Sequence, residues 1–113
     1  MGHLRREINH TTKVLSVINE GAFTPEDGQN AVQAYLDDVS QIHAPDYTLD
    51  IDSTKLEMHD PEVLPQLAYF FDLYKKSGFK KVIYRVRNNP ILTMQLKSVA
   101  NKTGLHSLEI IEE

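Results

Sequence analysis

The chain has 113 residues, of which 41% are hydrophobic and 25% charged, and its 16 acidic residues against 12 basic ones give a formal net charge of -4. This length predicts a single globular domain over residues 1–113 with a self-sufficient core, and the lack of Cys excludes disulfides and thiol chemistry. The acidic balance argues against nucleic-acid binding, which needs a basic surface. The longest apolar stretch, Leu67 to Phe71, is far below the roughly 20 residues that span a bilayer, and the first residues lack a signal-peptide core, so we expect a cytoplasmic protein without membrane contact.

The first third of the chain predicts two strands and a helix. Leu4 to Ile8 and Val14 to Ile18 are typical of short strands joined by a polar turn. The helix begins at Thr24-Pro25-Glu26-Asp27, where a capping hydroxyl precedes a proline and two acids. Asp37 and Asp38 are expected on its polar face. The apolar residues recur at helical spacing and are Val32, Tyr35, Val39 and Ile42.

The middle of the chain predicts a strand followed by a second helix. Tyr47, Leu49 and Ile51 alternate with polar residues, a pattern typical of a strand that ends at Asp52. Asp60-Pro61 caps the helix, which ends at Lys75-Lys76 before Gly78, and Pro65 predicts an irregular first turn. The apolar stripe of this helix consists of Leu64, Leu67, Phe71 and Tyr74.

The last third predicts a strand, a helix and a final strand. Phe79 to Arg87 contains an apolar strand core, and Asn88-Asn89-Pro90 places a cap before a proline at the start of a helix. That helix runs to Lys102 and stops at Gly104, with Leu92, Leu96 and Val99 inward, and Leu108 to Ile111 forms the final strand. The predicted order is β-β-α-β-α-β-α-β, which implies parallel strand pairs and right-handed crossovers.

Several stretches with this layout match the pattern of a known family. They are Asn19 to Thr24, Leu49 to Asp52, Asp60 to Leu64, Ser77-Gly78, Arg87 to Pro90 and Gly104-Leu105. In these stretches the chain resembles the STAS domain, which is shared by bacterial anti-sigma factor antagonists and the cytoplasmic ends of sulfate transporters. The resemblance spans nearly the whole chain. It implies an α/β, SpoIIAA-like fold: a mixed sheet of four to five strands with three main helices packed mainly on one face.

The resemblance also implies a non-enzymatic regulatory module that docks to another protein, with no catalytic residue, cofactor or metal. Its partner would be a kinase-like anti-sigma factor or another regulator, and a second copy of the chain is a further expected partner. Pro61 and Glu62 replace the two serines of the family loop, the second of which is the phosphoacceptor. Glu62 carries less charge than a phosphoserine and is equally explained as an acid in a first helical turn. Ser53 and Thr54 remain substitute acceptors.

The expected contact surface consists of the loop from Asp52 to Asp60 and the exposed side of the helix that follows. Tyr69 or Phe70 would lie at its rim, where a partner or a second copy docks. Local negative charge from Ser53, Asp60 and Glu62 would be what the partner reads. The predicted partner-binding residues are Ser53, Thr54, His59, Asp60, Glu62 and Tyr69.

Two other functions stay open. A small-molecule or anion binder of the same fold would show a closed, dry cleft at the strand ends. A phosphatase of the haloacid dehalogenase type is suggested by the sequence DxDxT at residues 50–54, although the chain lacks the rest of that catalytic set. Asp50, Asp52, His59 and Asp60 could also gather around a divalent cation, but a helix cap and solvated acids explain them as well. Lys80 and Lys81 are expected to protect an edge strand.

Overall fold

The computed structural model describes residues 2–22, 24–57 and 63–113, and for Val63 and Leu64 it describes the backbone. Each predicted helix and strand is present. The elements are β1 (His3–Asn9), β2 (Val14–Gly21), α1 (Pro25–Val39), a 3-10 turn (Ala44–Asp46), β3 (Thr48–Leu56), α2 (Val63–Ser77), β4 (Lys81–Val86), α3 (Pro90–Thr103) and β5 (Leu108–Glu112).

Within the described residues, the strands form one five-stranded sheet in the order β1-β2-β3-β4-β5. β1 is antiparallel to β2, and every other neighbouring pair is parallel. Each helical connection advances by one strand in the same direction. Because such crossovers are right-handed, α1, α2 and α3 all lie on one face of the sheet. The predicted mixed sheet with helices on one face is therefore confirmed.

The core lies between that face and the helices. Side chains along a strand alternate between the two faces, and the register aligns Leu15, Leu49, Val82 and Leu108 across four strands. The largest fully buried side chains come from the sheet and from the helices that cover it, and they are Tyr84, Phe71, Leu15, Leu49, Ile51, Leu96, Val82 and Val86. The opposite face of the sheet has no helix over it in the described part of the chain.

The predicted helix caps are present where the structure describes them. Thr24 and Asp27 form a capping box at the start of α1, with Oγ1 of Thr24 accepting from the Asp27 backbone and Oδ2 of Asp27 accepting from the Thr24 backbone. Asn89 caps α3. Pro65 falls in the first turn of α2, where a backbone N–H has no helical acceptor. The predicted Asp60-Pro61 cap lies outside the described residues.

Two expectations about charged residues are wrong. Asp38 was expected on the polar face of α1, but it is buried because Arg6 of β1 points toward the helices and meets it, with Nη1 3.2 Å from Oδ2. Lys80 and Lys81 were expected to protect an edge, but β4 is an interior strand between β3 and β5. Lys81 instead pairs with Glu109 of β5, at 2.7 Å.

Candidate functional site

The predicted interaction loop begins later in the chain than expected. β3 continues past Asp52 to Leu56, so Ser53 and Thr54 lie in a strand rather than in an exposed loop, and that part of the prediction is wrong. Ser53 takes a core position with 2% of its surface exposed. Its Oγ accepts a hydrogen bond from Nδ2 of Asn19 at 3.3 Å. Ser53 also lines a cleft beside Arg87 and Asn88, so a partner could reach only the small part of its surface that faces this cleft.

Thr54 lies on the other face of β3, where it forms hydrogen bonds with Asp52. Its hydroxyl and its backbone N–H both donate to Oδ1 of Asp52, at 2.7 and 3.0 Å. Partial burial opposes ionisation of Asp52, but the two bonds from Thr54, together with the charges of Arg85 and Lys55, lower the pKa of this carboxyl. Thr54 therefore has a structural role in keeping Asp52 charged, and its partner-binding role stays a prediction.

The DxDxT sequence lies inside β3 rather than after it, so its expected position at a strand end is wrong. Asp50 forms a bidentate ion pair with Arg85, whose Nε and Nη2 donate to the two carboxylate oxygens at 3.0 Å each. A third bond joins Arg85 to Glu113 at 3.1 Å. The bonds to Asp50 and then to Glu113 raise the pKa of Arg85. The first acid of the motif is thus held in an ion pair.

The described residues contain no group of three or more His, Asp or Glu side chains that could hold a metal ion. His59, Asp60 and Glu62 lie outside the described residues, so the predicted roles of these residues stay predictions.

Tyr69 lies at the rim of an apolar groove between the first halves of α1 and α2, and its role in docking a partner or a second copy stays a prediction. Its side chain is 55% exposed, and its ring meets the ring of Phe70 edge-on, with centroids 6.4 Å apart. We call this depression the α1–α2 groove. It has a volume of about 490 Å³ and is lined by Pro25, Gly28, Gln29 and Val32 of α1 and by Pro65, Gln66, Tyr69 and Phe70 of α2.

Beneath this groove lies a cavity between the two helices and strands β1 to β4, which we call the α1–α2 cavity. It has a volume of about 80 Å³ and a mainly apolar wall, to which Leu15, Leu49, Tyr35, Tyr74 and Tyr84 contribute. Gly28, Gln66 and Phe70 line both the cavity and the groove, so these residues form the wall between the two spaces. At about 24 cal/mol per Å³, an empty void of this size costs about 2 kcal/mol of stability.

Several polar groups on the cavity wall are hydrogen-bonded within the protein. Arg6 donates to Asp38 and to the Ala34 carbonyl. The hydroxyl of Tyr35 lies 2.6 Å from that of Ser77. Burial raises the pKa of Tyr35 to about 12, despite the bond to Ser77, and it likewise raises the pKa of Tyr84 to about 12, despite the bond to Ser53. These tyrosines are therefore neutral over the physiological pH range.

Gly28 is the sequence signal for this cavity, and the pattern of apolar residues gave no reason to notice it. It lies inside α1, where glycine costs about 1 kcal/mol relative to alanine, and its backbone does not need the left-handed region. A Cβ at this position would lie 3.7 Å from Oε1 of Gln66. The missing side chain therefore leaves a gap between α1 and α2 at the point where the groove meets the cavity.

Comparisons with known proteins identify the fold. The chain is similar to the crystal structure of an uncharacterised protein of the DUF3478 family, with a SpoIIAA-like fold, from Shewanella loihica PV-4. The two share 19% sequence identity with a TM-score of 0.68, over 99% of this chain and 86% of the other. No family model matches the chain, and no curated protein does either. The SpoIIAA-like fold and the resemblance to STAS domains are thus confirmed at the level of the fold.

A helix with the length and apolar character to cross a membrane is absent from the described residues.

Proposed function

We propose that the chain is a non-enzymatic regulatory module that docks to another cytoplasmic protein through the α1–α2 groove. The observation that carries the proposal is the position of Tyr69, a large aromatic side chain left mostly exposed beside an apolar groove. Tyrosine is enriched among residues that dominate binding energy at protein interfaces. The SpoIIAA-like fold supports the proposal because STAS modules, which the sequence resembles, act by docking.

The charges around the groove indicate the chemistry of the partner. Glu26 is exposed in the first turn of α1, and Glu57, which lines the cavity mouth after β3, is also exposed. The chain as a whole is acidic. We therefore expect a partner segment that places an apolar side chain in the groove and a basic residue beside it, since complementary charge speeds and orients docking. The resemblance makes a kinase-like anti-sigma factor the first class of partner to test.

The uncovered face of the sheet is a weaker candidate for docking. Its charged side chains pair with one another along the sheet, as in Arg85 with Asp50 and Lys81 with Glu109. A partner would have to break these pairs or leave them buried, and buried ion pairs are costly to desolvate. The groove demands no such loss, because its wall is mainly apolar.

The test places a photo-crosslinking benzoylphenylalanine at Tyr69 in the full chain and, as a matched control, at Met94 on α3, which is 72% exposed. We expect a discrete adduct with one protein from position 69 and none from position 94. With that protein purified, Tyr69→Asp should weaken binding by about tenfold or more, as expected for an interface hot spot, and Met94→Asp should not. Equal adducts or equal affinities at the two positions would contradict docking at the groove.

A further inference from the structure

The α1–α2 cavity favours an apolar occupant over water. A buried water needs two to four polar partners, and some of the polar groups on this wall already bond within the protein, as in Arg6 with Asp38 and Tyr35 with Ser77. The rest of the wall consists mainly of aliphatic and aromatic side chains. An apolar group that fills the space gains contacts that water cannot make.

The size of the cavity limits the shape of that occupant. At about 80 Å³ the cavity is much smaller than the roughly 150 Å³ of an engineered apolar cavity that accepts benzene. A ring therefore does not fit, whereas a slender chain does. The cavity and the α1–α2 groove share the wall formed by Gly28, Gln66 and Phe70, so a chain that ends in the cavity can extend along the groove toward solvent once the side chain of Gln66 moves aside.

We infer that the α1–α2 cavity binds the end of a long unbranched aliphatic chain, which enters between Gly28 and Gln66. Gly28 has no side chain to obstruct this entry, and the side chain that lies across from it, that of Gln66, is flexible and can move aside. The polar end of the ligand remains outside, near the exposed residues of the groove. This inference does not depend on the proposed docking function, since it concerns the space below the groove.

The test measures binding of cis-parinaric acid, a fatty acid that fluoresces in an apolar site, to the full chain. Two variants reduce the space for the ligand, one inside the cavity and the other at its entrance. Ala31→Leu fills the cavity from a residue that is 8% exposed and lines the cavity but not the groove, and Gly28→Phe blocks the passage. The controls are Gly28→Ala, whose added Cβ meets the flexible side chain of Gln66 only at an ordinary 3.7 Å, and Ala100→Leu, which enlarges a buried alanine on α3 away from the cavity.

We expect saturable binding to the unaltered protein, weakened by about tenfold or more in Ala31→Leu and Gly28→Phe, and changed by less than about twofold in the two controls. Thermal melting distinguishes a filled void from a damaged core: Ala31→Leu should melt no lower than the unaltered protein, whereas Ala100→Leu should melt lower because its site has no space. If Ala31→Leu fails to fold, the comparison of Gly28→Phe with Gly28→Ala decides alone. Undetectable binding, or equal binding in all variants, would overturn the inference.

Competition shows where the chain comes from. Displacement of the probe by oleic acid would indicate a free fatty acid, and displacement by phosphatidylcholine vesicles would indicate a chain taken from a lipid. Either result supports an aliphatic ligand. Failure of both competitors to displace the probe would overturn it. Because Ala31 lies below the groove, its variant leaves the docking surface intact, so failure of this inference and failure of the docking proposal are separate results.

Discussion

Tyr84 and Tyr35 show how single buried polar residues connect the sheet to the helices. The hydroxyl of Tyr35 on α1 bonds to Ser77 at the end of α2, and the ring of Tyr84 on β4 packs edge-on against Phe71 of α2. Both rings lie in the cavity wall. Each tyrosine therefore adds apolar area to the core, and Tyr35 also satisfies its hydroxyl, which is the condition for burying a tyrosine without penalty.

The raised pKa values of these two tyrosines predict a loss of stability in alkali. In the folded protein both pKa values are about 12, above the ordinary value of about 10 that applies in the unfolded chain. Below pH 10 both states are protonated. Between pH 10 and 12 the unfolded state ionises first, so the free energy of unfolding should fall by about 1.4 kcal/mol per pH unit for each tyrosine.

Urea denaturation at pH 9, 10 and 11 checks this prediction, with Tyr84→Phe as the comparison. The stability of the variant should fall less steeply above pH 10, because it lacks one of the two hydroxyls that ionise there. If the free energy of unfolding fell equally with pH in the variant and in the unaltered protein, Tyr84 would have the same pKa in the folded and unfolded states, and the prediction would be wrong.

Ser53 is predicted to be intolerant of negative charge. Replacement by Asp should lower the free energy of unfolding by about 3 kcal/mol or more, because an uncompensated charge would replace a hydroxyl in the core. Ser53→Ala should cost only about 1 kcal/mol, the value of a typical buried hydrogen bond. Chemical denaturation measures both. If the Ser53→Asp protein were as stable as the unaltered one, Ser53 would be accessible, and phosphorylation of this residue would again be a reasonable hypothesis.

At the scale of the elements, helix starts could be predicted well from sequence, since their signals are local. Thr24 with Asp27 and Asn89 with Pro90 lie where the caps were expected. The end of β3 could not be predicted in this way. Its alternation continues beyond Ile51, but the next inward residue is Ser53, and a serine there resembles a loop residue until Asn19 is seen to bond to it.

Asp38 illustrates the same limit on a helix. Helical spacing placed it among the polar residues of α1, and only the sheet order brings Arg6 of β1 against it. The cavity was missed for a related reason. A void is a property of packing between α1, α2 and the sheet, and no residue pattern within one element reports it except the isolated Gly28.

Gly28 and Gly78 should respond in opposite ways to alanine. Gly28 has ordinary helical geometry, and a Cβ there meets Gln66 only at 3.7 Å, so Gly28→Ala should stabilise the protein by about 0.5–1 kcal/mol. Gly78 ends α2 with φ at +77°, so Gly78→Ala should destabilise it by about 1 kcal/mol. The midpoints of urea denaturation of the two variants, compared with that of the unaltered protein, measure these changes in stability. A destabilising Gly28→Ala would mean that α1 packs more closely on α2 than the structure shows.

At the scale of the whole molecule, the described residues divide into two unlike surfaces. The uncovered face of the sheet carries ion pairs that neutralise one another, among them Arg5 with Glu20 and Arg85 with Asp50. The helical side carries the exposed Tyr69, the apolar groove and the cavity beneath it. The fold explains this division, because crossovers of one hand and one direction place α1, α2 and α3 together. The functional surface is accordingly proposed on the helical side.

The most direct test of that proposal is a map of the surface that changes when the partner binds. Methyl and backbone NMR spectra of the labelled chain would be recorded with and without the protein recovered by crosslinking at Tyr69. We predict that the largest shift changes fall on residues 25–32 of α1 and 65–70 of α2. Changes concentrated on Ile18, Ile83 and Arg85 of the uncovered sheet face would contradict it.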